Sequence, residues 1–128
     1  HIERIIRPVL ARGDMVISDR FTDASFAYQC GGGGLDATKL GELEAWGHGD
    51  LQPDLTLLFD VPGEVAQARL AGARAPDRFE QEKHDFHARV RAAYLDRARR
   101  YPQRIRVIDG SVPLLEVREA LLRTVDRL

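Results

Sequence analysis

Residues 55–61 have the sequence LTLLFDV, which is the clearest strand pattern in the chain. It follows Pro53-Asp54 and ends at Pro62-Gly63, so turn-forming residues bound it on both sides. A strand that is apolar on both faces is typical of a parallel sheet covered by helices, whereas a strand with one face in water alternates. The segment therefore predicts a buried parallel strand.

Helix-period apolar patterns surround this strand. They predict helices over residues 2–10, 22–29, 36–46, 64–70, 80–100 and 113–128, and two more short apolar runs predict strands at 15–18 and 105–108. Strands that alternate with helices indicate an α/β protein with a parallel sheet. Two helices carry clear apolar faces: Phe86, Val90, Ala93 and Tyr94 in one, and Leu114, Val117, Leu121, Leu122 and Val125 in the other.

Composition narrows the class of protein. At 128 residues and 44% hydrophobic, the chain fits one globular domain or a large piece of one. Its 19 basic and 20 acidic residues give no electrostatic reason to expect nucleic acid or a membrane surface as a partner. The single cysteine, Cys30, excludes a disulfide framework and fits a reducing compartment, which points to the cytoplasm.

Charged residues follow each predicted strand. In an open parallel sheet, ligands bind beyond the carboxyl ends of the strands, where Asp19-Arg20, Asp60 and Asp109 are expected. A guanidinium held in this position can grip a phosphate through two parallel hydrogen bonds. The alternative for Arg20 is an ion pair with Asp19 or another carboxylate.

The helix after Arg20 carries groups suited to a nucleotide. Ser25, Tyr28 and Gln29 are spaced so that they fall on adjacent faces of one short helix. Two hydroxyls and an amide beside a phosphate clamp suit a base and a sugar. The sequence of this region therefore favours a nucleotide as ligand.

The motifs of this region resemble the thymidylate kinase signature. The resemblance is carried by DRF at 19–21, SFAYQ at 25–29 and GGGGLD at 31–36, and residues 1–3, 53–61 and 77–80 are also similar to that family. It implies a parallel three-layer α/β/α sheet of the P-loop nucleoside monophosphate kinase type, incomplete because the first strands and the P-loop are absent from this chain. Residues 1–128 would form one partial kinase domain, with an acceptor-nucleotide region at about 14–36, a lid at about 69–80 and a C-terminal helix at 113–128.

The resemblance also implies roles for single residues. Arg20 would bind the dTMP phosphate, with Asp19 beside the magnesium and phosphate region. Ser25 and Gln29 would meet the base or phosphate, and Tyr28 would line the nucleoside pocket. Tyr94 would lie near the deoxyribose and help to exclude a 2′-hydroxyl, or would simply pack in the core. Many bacterial members have an arginine where this chain has Gly33, so any role tied to that side chain is missing here.

Arginines of the predicted lid are the candidate catalytic cations. Phosphoryl transfer depends on alignment and on cations that meet the charge of the transferring oxygens, and Arg69, Arg74 and Arg78 lie where a lid could close over ATP. The alternative is a solvated basic surface, which is the interpretation adopted for Arg97, Arg99, Arg100 and Arg104. Residues Asp109, Gly110 and Ser111 would lie near adenine, and ATP with Mg²⁺ would be the co-substrate.

Two further features have plainer interpretations. The glycines at 31–34 lack a following Gly-Lys-Ser/Thr, so they predict a flexible turn rather than a phosphate-binding loop. His84 and His87 lie three residues apart without carboxylate or cysteine partners at ligand spacing, which favours a surface pair over a metal site.

The expected function is transfer of the ATP γ-phosphate to dTMP for dTTP biosynthesis, by a homodimer. Because this kinase class needs a P-loop, residues 1–128 alone should not turn over ATP, and the working protein should include an upstream P-loop segment. Without the central first strand, the isolated residues should fold poorly. The alternatives are another nucleotide or nucleoside kinase of the same fold, and a catalytically silent nucleotide-binding or association fragment.

Overall fold

A computed structural model describes residues 2–48, 51–70 and 78–128. Helix α1 begins with a π-helical turn at Ile2–Ile6 and continues as an α-helix at Arg7–Ala11; helix α2 begins as α-helix at Thr22–Ser25 and continues as π-helix at Phe26–Gly32. The other elements are α3 (Ala37–His48), β1 (Thr56–Asp60), α4 (Gly63–Leu70), α5 (Arg78–Arg100), β2 (Ile105–Asp109) and α6 (Leu114–Asp126). Within the described ranges, no helix is both long and apolar enough to cross a bilayer.

The two strands form a parallel sheet. Their register runs from Thr56 opposite Ile105 to Asp60 opposite Asp109, and α4 and α5 make the crossover between them. A parallel pair requires such a crossover, because the chain must return to the same end of the sheet. The predicted strands at 55–61 and 105–108 and the α/β class are thus confirmed, and both carboxyl ends meet at one edge.

The predicted strand at 15–18 is wrong. These residues have no strand partner in the part of the chain that the structure describes, and Met15 and Ile17 are 83% and 89% exposed. A strand exists only when a neighbour satisfies its backbone groups. The resemblance predicts that this neighbour is a further strand lying between 15–18 and β1.

Two glycines let α2 pack closely on α5. A Cβ atom on Gly31 would lie 2.4 Å from the Cβ of Ala93, and one on Gly32 would lie 2.4 Å from Cε2 of Phe86. The prediction of a flexible turn is therefore wrong for these two positions, which extend the helix and form its contact surface. Val90, beside Phe86 on α5, is buried, so the predicted inner face of α5 is confirmed.

The apolar stripe of α6 is only partly covered. The helix forms where the sequence predicts it and packs against β2, but Leu114 is 81% exposed and Leu122 is 48% exposed. A helix needs a second packing partner to bury a stripe of this width. The expectation that all five stripe residues form core is wrong for the described residues.

The close approach at Gly31 gives a stability prediction. We expect Gly31→Ala to lower the free energy of unfolding of the full-length protein by about 1–3 kcal/mol, because the methyl group must displace the α5 backbone. Gly41 is the matched control, since a Cβ there meets no atom within 4 Å in the middle of α3. Gly41→Ala should raise the free energy by about 0.5–1 kcal/mol. Urea unfolding measures the free energy of unfolding of both variants. A Gly31→Ala protein as stable as wild type would contradict the packing argument.

Candidate functional site

Arg20 occupies a strained turn just before α2. It has φ +67°, the left-handed conformation, which among the described residues only Arg20 and two glycines adopt. The hydroxyl of Ser18 donates a hydrogen bond to the Arg20 carbonyl oxygen at 2.9 Å. A non-glycine residue in this conformation costs about 1–3 kcal/mol, and such strain is concentrated at functional sites. The turn therefore holds the Arg20 backbone in a defined place.

The Arg20 side chain stacks on an aromatic ring and faces solvent. Its Cζ lies 5.2 Å from the centroid of the Tyr28 ring, in a cation–π contact. The alternative interpretation, an ion pair with Asp19 or another carboxylate, is not observed within the ranges that the structure describes. The guanidinium is thus oriented by stacking, and Arg20 as a residue is exposed to solvent.

Tyr28 joins Arg20 to α5. Its ring meets Tyr94 edge-on at a centroid distance of 6.2 Å and meets Phe86 at the same distance with a 50° tilt. Burial raises the pKa of Tyr94, and the neighbouring Tyr28 adds to this effect, so the Tyr94 phenol stays protonated at neutral pH. Tyr94 thus packs against Tyr28, the same ring on which Arg20 stacks.

Three other predicted site residues are exposed. Asp19 precedes Arg20 in the turn, while Ser25 and Gln29 lie one helical turn apart on α2. The Gln29 carbonyl accepts a hydrogen bond from the Leu35 amide at 2.8 Å, which closes the C-terminal end of α2. The structure therefore brings Arg20, Tyr28 and Tyr94 into contact and leaves these three side chains open to solvent beside them.

Asp60, at the carboxyl end of β1, has a structural partner. Arg91 of α5 donates to both carboxylate oxygens, at 2.7 and 3.0 Å. The hydrogen bond to Asp60 raises the pKa of Arg91. This ion pair fixes α5 across the end of the sheet.

Arg69 ties α4 to the loop after β2. Its guanidinium donates to the carbonyl oxygens of Gly110 at 2.8 Å and Ser111 at 3.1 Å. The Asp109 carboxylate accepts hydrogen bonds from the hydroxyl and the amide of Ser111, which lower the pKa of Asp109. The start of the predicted lid and the predicted adenine-binding loop are therefore in direct contact. Arg74 and the side chain of Arg78 lie outside the described residues.

A buried ion cluster was missed by the sequence analysis. Asp23 is 5% exposed and binds Arg97 and Arg104, so these two arginines do not belong to a solvated surface as predicted. Burial raises the pKa of Asp23, but hydrogen bonds from Arg104 and Arg97 outweigh burial and lower it below its ordinary value. Arg99 and Arg100 are exposed and pair with Asp96, as a solvated basic surface requires. The available signal was Asp23 itself, an acidic residue among the apolar and small positions of α2.

A cavity of about 520 Å³ lies near this cluster and away from the predicted site. Residues from α2, α3, the loop before β1 and the end of α5 line it, including Phe26, Thr38, Arg97 and Tyr101. Arg97 stacks on both aromatic rings, with its Cζ 4.0 Å from the centroid of Phe26 and 5.0 Å from that of Tyr101. No predicted site residue lines this cavity.

Comparisons with known proteins agree on one family. The family model described as thymidylate kinase matches residues 1–121. The chain is 61% identical to a thymidylate kinase of Methylobacillus flagellatus over 122 residues, which are 95% of this chain and 60% of that protein. It is 52% identical to one of Chromobacterium violaceum, covering 100% of this chain and 60% of the relative.

A solved structure supports the same assignment. The crystal structure of thymidylate kinase from Ehrlichia chaffeensis matches with a TM-score of 0.73 and 27% identity, over 98% of this chain and 58% of that one. The chain therefore spans about 60% of the length of the relatives that it matches.

Proposed function

Since this chain belongs to the thymidylate kinase family, we propose that it supplies the acceptor side of an enzyme that phosphorylates dTMP. The γ-phosphoryl group of ATP would move to a phosphate oxygen of dTMP, giving dTDP and ADP in dTTP biosynthesis. The observation that carries this proposal is Arg20, whose guanidinium faces solvent over Tyr28 instead of pairing with a carboxylate among the described residues. A planar cation held in this way suits a phosphate with two accessible oxygens.

The groups around Arg20 supply the remaining acceptor contacts. In this proposal, Tyr28 holds the guanidinium and lines the nucleoside pocket, and Tyr94 stands against the deoxyribose, where a 2′-hydroxyl would collide. Ser25 and Gln29 present a hydroxyl and an amide to the base or phosphate. Their exposure on α2 supports this role, because no hydrogen bond within the described residues occupies either side chain.

The ATP side involves the lid and the loop after β2. Arg69, Arg74 and Arg78 would meet the phosphates of ATP, and residues Asp109, Gly110 and Ser111 would lie near adenine. Mg²⁺ is commonly held by one or two carboxylates together with substrate phosphates, and the exposed Asp19 beside Arg20 fits that donor set. Among the described residues, no group of three histidine, cysteine or acidic side chains could hold a metal ion by itself. When bound, Mg²⁺ would neutralise charge on the phosphates.

The P-loop would come from sequence upstream of His1. One edge of β1 has no partner in the described ranges, and Met15, Ile17 and Phe59 are exposed apolar side chains. A further strand between 15–18 and β1 would satisfy this edge and cover these side chains. We further infer a homodimer in the cytoplasm, as the family resemblance implies.

A substrate panel tests the proposal. The full-length protein should form ADP from ATP in the presence of dTMP, and much less with dUMP, UMP, dCMP or AMP. Residues 1–128 alone should bind dTMP weakly at most and should not hydrolyse ATP. Activity without preference for dTMP would indicate another kinase of this fold. Binding of both nucleotides by the full-length protein without any turnover would indicate a silent nucleotide-binding protein.

A further inference from the structure

We propose that Asp23 is a positioning residue for the acceptor-phosphate clamp: its buried carboxylate fixes the first turn of α2 on α5 and thereby sets where Arg20 and Tyr28 stand. The inference rests on the proposed function, because it assigns Asp23 a role in dTMP binding. Asp23 itself is 5% exposed, so it acts through its neighbours and does not touch the nucleotide.

The carboxylate of Asp23 is fully engaged from the protein interior. Arg97 of α5 donates through Nε to one oxygen at 2.8 Å, and Arg104 donates to both oxygens, at 2.7 and 3.0 Å. The side chains of Arg97 and Arg104 are only 13% and 15% exposed. Charge-assisted hydrogen bonds of this length are strongly directional, so they fix the position of the first turn of α2.

A second contact between the same helices lies one turn further along. Tyr28 follows Asp23 by five residues on α2, and Tyr94 precedes Arg97 by three residues on α5. The Tyr28–Tyr94 contact is aromatic and the Asp23–Arg97 contact is ionic. Two attachment points of this kind prevent α2 from rotating or sliding on α5. Arg20 lies three residues before Asp23 and stacks on Tyr28, so both attachments determine its position.

Arg104 extends the same network to the sheet. It donates to the Thr56 hydroxyl at 3.2 Å, and its carbonyl oxygen accepts the Thr56 amide at 2.8 Å. The clamp is therefore placed relative to the start of β1 as well as to α5. A buried ion cluster is a poor source of net stability compared with apolar packing, but its directional bonds can impose one arrangement. That difference is the reason for assigning Asp23 to positioning.

The test is a double-mutant cycle on the full-length protein, with dTMP affinity measured by calorimetry and the KM values for dTMP and ATP by kinetics. We expect Asp23→Asn to weaken dTMP binding at least fivefold, with the KM for ATP within twofold of wild type. Electrostatics alone predicts the opposite sign, because removing a negative charge should strengthen binding of an anion. In an Arg20→Ala background, Asp23→Asn should add less than twofold, because a residue that acts through Arg20 loses its effect there.

Controls separate positioning from general damage. Arg100→Ala removes an arginine of the same helix that is 66% exposed and pairs with Asp96, and it should leave dTMP affinity unchanged. If Asp23→Asn does not fold, Arg97→Lys is the second variant, because it keeps the positive charge but loses the planar stacking on Phe26. It should weaken dTMP binding in the same way and leave the KM for ATP within twofold of wild type. The inference about Asp23 would be overturned if the folded variants bound dTMP with wild-type affinity, or if the losses of dTMP affinity from Asp23→Asn and Arg20→Ala were additive. The proposed function would be unaffected by either result. A wild-type protein that does not bind dTMP would overturn the proposed function and this inference together.

Discussion

Arg20→Ala in the full-length protein is expected to weaken dTMP binding by about 1.5–3 kcal/mol, the range for hydrogen bonds to charged groups. This corresponds to roughly 10- to 150-fold in the dissociation constant. The expectation rests on the proposed clamp, because the guanidinium stacks on Tyr28 and no carboxylate pairs with it among the described residues, which leaves it available to a phosphate. Titration calorimetry with dTMP measures the effect directly.

Two matched variants sharpen this prediction. Arg20→Lys keeps the charge but loses the planar fork, so its affinity should fall between those of Arg20→Ala and wild type. Arg99→Ala removes an arginine of α5 whose side chain is 71% exposed, and it should leave the affinity for dTMP unchanged. If Arg20→Ala binds dTMP as tightly as wild type, Arg20 does not contact the acceptor phosphate.

Asp23→Ala is expected to lower the free energy of unfolding by about 3–5 kcal/mol. Truncation removes the buried carboxylate that Arg97 and Arg104 both bind, and removing one partner of a buried ion pair is strongly destabilising. Urea unfolding at neutral pH measures the loss. Asp96→Ala is the control, since its partners Arg99 and Arg100 are exposed, and it should cost less than about 1 kcal/mol. Equal losses of unfolding free energy in Asp23→Ala and Asp96→Ala would contradict the conclusion that breaking the buried Asp23 ion pairs is strongly destabilising.

The same cluster predicts a dependence of stability on pH. The pKa of Asp23 is lowered in the folded state from an ordinary value of 3.8. The folded state therefore gains stability from Asp23 at pH values above about 4, and this gain is lost as the pH falls through the folded pKa. In urea unfolding between pH 6 and pH 2.5, wild type should lose more stability than Asp23→Asn. Parallel curves for the two proteins would show that the Asp23 carboxylate is not selectively stabilised by folding.

Local sequence determined most helices and two strands of this protein. The apolar run at 55–61 became β1 because its residues favour an extended, buried backbone and because β2 lies beside it. The equally apolar run at 15–18 did not become a strand, since no described segment pairs with it. The stripe on α6 was read correctly as a helix, but its burial depends on neighbours that the pattern cannot supply.

Some features of the candidate site also follow from local sequence, and others depend on tertiary contacts. The motif at 19–29 predicts Arg20, Ser25, Tyr28 and Gln29 as candidates, because residue type and spacing along one helix are local properties. Sequence alone also indicated the family, through motifs that follow one another in the right order along the chain. It could not distinguish a stacked Arg20 from a paired one, because the outcome depends on which rings and carboxylates the fold brings within reach.

The burial and pairing of the other charged residues depend on tertiary contacts. Asp23 lies 74 residues from Arg97 and 81 from Arg104, so no local pattern connects the three side chains. The sequence at Gly31 and Gly32 predicts a flexible turn, whereas in the structure both glycines pack closely against α5. The physical reason is common to these cases: backbone conformation follows from neighbouring residues, whereas burial, pairing and pKa depend on groups that only folding brings together.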